Sequence, residues 1–147
     1  MENPSSMVQV VTAGEALIDM VQGADGRFAP LAGGAVYNLT RALALQGVPT
    51  AYLNPLSGDR MGRLLARGLA DAGATCARPQ PHALPTSLAL VALDSLGKAD
   101  YAFYREGVAD RAVTAQNLIQ ATLAYAGARA VATGCLALAP EDQPSYL

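Results

Sequence analysis

Short β-branched and apolar runs alternate with stretches of helical periodicity along this chain, and that alternation constrains the fold more than any other feature. Val8 to Ala13 reads as a first, buried strand that stops at Gly14. Val36, Leu39 and Leu43 recur at helical spacing between the Gly33–Gly34 pair and the stop at Gly47 and Pro49, so a helix is expected over Ala35 to Gln46. Thr50 to Leu56 reads as the next strand. A helix from Arg60 to Ala72 follows, with Asp59 as its N-cap, Met61, Leu64, Leu65, Leu69 and Ala72 on one face, and Gly73 as its stop. Thr114 caps a helix to about Ala126, and Arg129 to Thr133 is a last short strand. Pro140-Glu141-Asp142 has the proline and acidic residues of a helix start. The alternation argues for an α/β fold around a mostly parallel sheet flanked by helices.

Two segments break that pattern. Leu17 to Val21 and Arg27 to Leu31 flank the turn signal Gly23-Ala24-Asp25-Gly26 and read as a hairpin. Ser87 to Asp94 and Asp100 to Arg105 form a second hairpin around Ser95-Leu96-Gly97-Lys98. Hairpins do not belong in plain strand–helix–strand units, so they suggest a small antiparallel flap attached to the sheet.

Composition narrows the function classes. The chain has 147 residues, a typical size for one domain, and 52% of them are apolar. Its net charge is −2 and it has no basic run, which argues against a nucleic-acid partner. No run of about 20 apolar residues is present to span a bilayer. Met1 to Met7 are not the charged-then-apolar start of a signal peptide. Cys76 and Cys135 are far apart, with no CxxC or Cys/His pairing, so a structural metal site is not expected; Cys135 reads as a small buried thiol. A reducing cytoplasm is the default compartment.

Several residues have the chemistry of a binding site. Asp19 lies just past the first strand, where ligands of α/β sheets gather, and could accept hydrogen bonds from ligand hydroxyls. By position alone it reads better as a surface carboxylate on a flap strand. Gly33–Gly34 at a helix start lets a ligand approach the backbone, and free N–H groups there favour oxygen-rich or anionic partners. Asn38, one turn on, can donate and accept at once. The alternative is a tight turn followed by a polar helix residue. No Gly-Lys-Ser/Thr follows, so this is not a Walker A loop. Gly58-Asp59-Arg60-Met61-Gly62 reads as a structural cap. Arg105 could bind a hydroxyl, carboxylate or phosphate, or be a solvated strand-end arginine. His82, between prolines in a loop, reads as a surface residue.

The order and spacing of these motifs carry more than any one of them. Gly14-Glu-x-x-x-Asp19, Gly33-Gly34-x-x-x-Asn38, Gly58-Asp59-x-x-Gly62 and Thr86-Ser87 before a strand resemble, over Val8 to about Leu138, the N-terminal half of the PfkB (ribokinase-like) carbohydrate kinases. The FYREGVADR and ATGCLAL segments resemble bacterial fructokinases. The resemblance implies a ribokinase-like fold with a β-flap lid formed by strands at about 17–31 and 87–105. It makes Asp19, Gly33, Gly34 and Asn38 sugar-binding residues and Arg105 a lid-side contact. It implies transfer of the ATP γ-phosphoryl to a primary hydroxyl of a hexose, with fructose favoured. In such enzymes an aspartate acts as base, backbone N–H groups stabilise the transferring phosphate, and Mg²⁺ assists.

Those last parts belong to a Gly-Ala-Gly-Asp stretch in the family's C-terminal half, and this sequence contains none. Residues 1–147 are therefore expected to be a truncated N-terminal part of the kinase domain, without the nucleotide-binding half. This chain is expected to supply no catalytic residue, to bind no ATP or Mg²⁺ and to be inactive alone. A non-catalytic sugar-binding module is an alternative, although an exposed, incomplete sheet edge leads to an expectation of poor solubility and no binding. The 2-keto-3-deoxygluconate kinases of the same superfamily share a Tyr-x-Arg lid pattern. Here Phe103 stands in the tyrosine's place before Arg105, which favours a neutral hexose over a keto-acid sugar. Nucleoside kinases rank third, for want of a distinctive aromatic pair. The lid, with its apolar Leu88–Leu93 stretch, could also join two copies.

Overall fold

The computed structural model describes residues 8–93 and 98–147. Its elements in chain order are β1 (Val10–Thr12), β2 (Leu17–Gln22), β3 (Phe28–Gly33), α1 (Ala35–Leu45), β4 (Thr50–Tyr52), α2 (Arg60–Asp71), β5 (Thr75–Cys76), β6 (Ser87–Leu93), β7 (Ala99–Tyr104), α3 (Ala115–Leu123) and β8 (Ala130–Ala132). Short 3₁₀ turns follow at Cys135–Leu138 and Gln143–Ser145.

Two sheets result. One has the order β5-β4-β1-β8 and all its pairings are parallel. Alternation along its strands sends side chains to two cores. Val11, Ala51 and Leu53 pack with Leu118 of α3 and with Val113 and Tyr125 on one face. Tyr52 packs on the other with Val36 and Tyr37 of α1 and Leu65 and Leu69 of α2. Each fully buried side chain of this size contributes about 1.5–3 kcal/mol. Helices thus cover both faces, as the ribokinase-like reading requires.

The second sheet has the order β3-β2-β6-β7. The strands of each predicted hairpin pair antiparallel, and the two pairs join through a parallel β2–β6 pairing. The first turn is closed by the Gly23 amide donating to the Arg27 carbonyl at 2.8 Å. One face of this flap carries Ile18, with Met20, Ala32 and Leu88 beside it, into the core shared with α1 and α2. Leu31, Tyr101 and Phe103 on the other face are exposed. Leu88–Leu93 lies on an inner strand; the edges of the flap are β3 and β7. The turn expected at Ser95–Gly97, together with Asp94 and Met1–Met7, lies outside the described residues.

Other expectations are corrected. Helix α1 buries Val36, Tyr37 and Thr40, while Leu39, expected on the core face, is 40% exposed. Polar anchors set this rotation. The Tyr37 hydroxyl donates to the Leu65 carbonyl at 3.2 Å, and the Thr40 and Thr12 hydroxyls are hydrogen-bonded at 2.7 Å. The strand expected to reach Leu56 ends at Tyr52, because Asn54 is drawn into side-chain bonds with other segments. Pro140 does not open a regular helix; one 3₁₀ turn forms at Gln143–Ser145, and the Asp142 carboxylate pairs with Arg105 and Arg111. Cys135 is exposed, with φ 53°, rather than a buried thiol. Among the described residues no helix is long and apolar enough to cross a membrane.

Asp59 does cap α2, accepting from the Gly62 amide at 2.7 Å, and a Cβ on Gly62 would collide with the Ser57 carbonyl. The same carboxylate accepts from the Thr86 amide at 2.8 Å and the Thr86 hydroxyl at 2.7 Å, tying α2 to the start of β6. Partial burial acts to raise its pKa, but the bonds from Gly62, Thr86 and Ser57 outweigh it and hold the group at about 2. A depressed carboxylate pKa stabilises the fold above the unfolded value, 3.8, and that contribution is lost as pH falls through about 2. In acid-unfolding curves followed by circular dichroism, Asp59→Ala should be less stable than the wild type at neutral pH, and the two should converge as pH falls from 4 to 2.

Candidate functional site

The flap register places the candidate residues. Gly33 pairs with Leu17, and Leu17 with Ser87; two residues along β2, Asp19 pairs with Leu31 and Ala89. Ala89 in turn pairs with Phe103. Asp19, Ala89 and Phe103 therefore form one cross-strand row on one face, with Gly33 and Leu17 in the next row on that face. Asp19 and Gly33 touch: a Cβ on Gly33 would collide with the Asp19 carboxylate. Only glycine leaves that carboxylate where it is.

Asp19 is half-buried, and burial holds its carboxyl above the ordinary 3.8. No donor among the described residues engages its oxygens. A half-buried carboxylate that no protein donor engages suits a ligand that supplies hydroxyls. The Phe103 ring is 49% exposed and stacks on Tyr101 with centroids 5.9 Å apart, which gives the row an apolar wall.

Gly34 ends the flap and starts α1 with φ 103°, and a Cβ there would lie 2.7 Å from the Glu15 carbonyl oxygen. Residues 14–15 and 34–36 cross so closely that a Cβ on Gly14 would also strike the Val36 side chain. Asn38 is exposed one turn into α1, and its amide donates to the Gly34 carbonyl at 2.9 Å. The idea that free amides at this helix start favour anions is corrected. The Ala35 amide donates to Glu15 Oε1 at 2.8 Å and the Tyr37 amide to the Glu15 carbonyl at 3.2 Å. A carboxylate already occupies this helix N-terminus, so what remains suits neutral hydroxyls.

Asp19, Gly33, Gly34 and Asn38 thus come together through one continuous stretch of chain. Arg105 follows β7 in phase with Phe103, but its guanidinium is buried and paired elsewhere. Nη1 lies 2.9 Å from Asp142 and Nη2 lies 3.7 Å from Asp110. For Arg105 to reach a ligand, the Asp142 pair would have to open.

Arg105 belongs to a buried polar cluster that single-residue reasoning missed. Asn54 Oδ1 accepts from the Gly14 amide at 2.9 Å, and its Nδ2 donates to the Asp110 carbonyl at 2.8 Å and to the Tyr146 hydroxyl at 2.7 Å. The Asp110 carboxylate accepts from the Ser87 hydroxyl. Burial pushes its pKa up, against the pull of that hydroxyl, the Arg105 charge and the Ala16 amide. Arg111 Nε closes the cluster on Asp142 at 2.7 Å. Glu15, Ser87 and Asp110 stand inside motifs the sequence displays, at positions where no chemistry announced them. Among the described residues no three His, Cys, Asp or Glu side chains gather to hold a metal ion.

Known proteins resemble this chain in sequence and in fold. The model of the pfkB family carbohydrate kinases matches residues 7–146. A fructokinase of Rhizobium leguminosarum bv. trifolii is 39% identical over 114 residues, which cover 74% of this chain and 34% of that protein. The crystal structure of a fructokinase from Xylella fastidiosa superposes with a TM-score of 0.66 at 30% identity, over 78% of this chain and 39% of that one. The same species' fructokinase with bound ATP gives a TM-score of 0.60 at 28% identity, over 78% and 38%. The chain therefore spans about a third of the length of the curated relatives it matches.

The backbone crossing has a testable cost. Gly34→Ala places a Cβ against the Glu15 carbonyl at a positive φ and should destabilise the chain by about 1–3 kcal/mol in urea titrations. Gly47→Ala, also at a positive φ (79°) but with open space around it, should cost less, about 1 kcal/mol.

Proposed function

The chain belongs to the pfkB family of carbohydrate kinases, and on that premise we propose that it carries the acceptor-sugar site of a kinase that phosphorylates a primary hydroxyl of a neutral hexose, fructose first. The observation that carries this reading is the Asp19–Gly33 contact, a half-buried carboxylate that no donor among the described residues engages, at the edge of a glycine turn. In this proposal Asp19 accepts hydrogen bonds from sugar hydroxyls. Gly33 and Gly34 let the sugar reach the backbone, and Asn38 donates and accepts from the first turn of α1. Phe103 supports a neutral hexose over a keto-acid sugar, since the row it shares with Asp19 lacks the hydroxyl a tyrosine would add. Arg105 is the lid-side contact, available once its pair with Asp142 opens.

The phosphoryl donor of the whole enzyme is proposed to be ATP with Mg²⁺, which supplies the transferable group and neutralises its charge. The ATP-bound relative supports that choice. The residues described here bind and orient the acceptor; none is assigned to the phosphate. The proposed compartment is the cytoplasm. The exposed Leu93, Tyr101, Phe103 and Tyr104 make the lid the proposed meeting surface of two copies; sedimentation should then show a dimer that Tyr101→Lys dissociates.

A second reading is favoured by the continuity of the site: Asp19 to Asn38 is one segment, so this chain alone binds hexose without turning over ATP. Calorimetry should detect weak fructose binding, and a coupled ATP assay should show no turnover. Turnover by the isolated chain would refute that reading. Asp19→Ala should weaken fructose about tenfold or more, as expected when hydrogen bonds to a charged acceptor are lost. Donated hydroxyls favour the ionised carboxylate, so the complex has a lower Asp19 pKa than the free chain. Affinity should therefore rise as pH increases through the raised Asp19 pKa and fall below it; a flat profile would place the sugar elsewhere.

A further inference from the structure

We propose that Glu15 is a positioning residue of the sugar site, holding the glycine turn in its ligand-ready shape without touching the ligand. The inference rests on the sugar-site reading above, but its central interaction can be measured without sugar.

Helix α1 begins without a cap of its own. Gly34 is its N-cap and has no side chain to bond the free amides of the first turn. Glu15, twenty residues earlier, does this from across the fold. Its Oε1 accepts from the Ala35 amide at 2.8 Å, and its carbonyl accepts from the Tyr37 amide at 3.2 Å. The same carbonyl is the surface on which Gly34 rests. Side chain and backbone of one residue thus template the turn that carries Gly33 and Gly34, and Asn38 hangs from that turn through its bond to the Gly34 carbonyl.

Glu15 is 2% exposed, so a sugar cannot reach it. Its Oε2 is also buried and has no hydrogen-bond partner among the described residues. A buried carboxylate with an unsatisfied oxygen is costly, and a helix N-terminus recovers only part of that cost. Stability alone would be served by a less expensive residue. The length of the side chain is what the turn needs: a carboxylate on two methylenes spans from the end of the β1 segment to the first amide of α1.

The test uses the 147-residue chain and three variants: Glu15→Gln keeps the acceptor, Glu15→Asp shortens the reach, and Glu15→Ala removes it. Amide hydrogen exchange at Ala35, followed by NMR without sugar, should speed up about tenfold in the Asp and Ala variants relative to reporter amides of α2, as expected for loss of one bond to a charged group. Fructose affinity by calorimetry should fall by a similar factor in those variants, and Glu15→Gln should rescue both readouts to within about threefold. Unchanged exchange at Ala35 in Glu15→Ala would overturn the proposal. So would a variant whose urea midpoint drops while its fructose affinity stays intact, because that marks a structural role only. If the wild-type chain binds no fructose, the sugar-site reading fails at that step, and exchange at Ala35 alone decides whether Glu15 holds the turn.

Discussion

The crossing of residues 14–15 beneath residues 34–36 is the constraint on which the rest of the structure depends. At this point the chain leaves the parallel sheet for the flap, and later returns from the flap to a helix that covers the sheet. Glycine at 14 and 34 lets the two backbones meet at a separation no Cβ would allow. Glu15 then bonds the returning helix start, and the Tyr52 hydroxyl donates to the Gly14 carbonyl at 2.7 Å from the neighbouring strand. One contact zone therefore sets the flap's angle, the start of α1 and the position of Asp19 relative to Gly33.

Beside that crossing lies the buried polar cluster of Asn54, Ser87, Arg105, Asp110 and Asp142. Such clusters contribute less to stability than their number of bonds suggests, because each charge must first lose its water. Their bonds connect segments far apart in the chain. Asn54 links the end of β1 to the loop after the lid and to Tyr146, and Asp110 links that loop to the first residue of β6. The second hairpin of the lid is thus anchored at its base, by Asp59 and Thr86 on one side and by Ser87, Asp110 and Arg105 on the other. A lid held this way can present Asp19 and Phe103 on a common face.

Local chemistry explains which parts could be read in advance. The first hairpin with its turn at Gly23–Gly26, the antiparallel strands of the second, and the Asp59 and Thr114 caps depend on neighbours a few residues away, and these formed where expected. The rotation of α1 was misread because Leu39 and Leu43 satisfy helical spacing as well as Val36 and Thr40 do. Only the reach of Tyr37 to Leu65 and of Thr40 to Thr12 decides between them. The tail was misread because the Asp142 carboxylate, which can cap a helix locally, is captured by two arginines more than thirty residues away.

By itself the sequence determined the alternating α/β order, the interrupting flap and the glycine, aspartate and asparagine spacing of the candidate site, since periodicity and turn chemistry are properties of contiguous residues. Only the tertiary structure decided that the helix start is already filled by Glu15, that Arg105 is engaged by carboxylates, and that Asp19, Ala89 and Phe103 share a row. Those facts depend on strand register and on contacts between distant segments, and neither leaves a periodic trace along the chain.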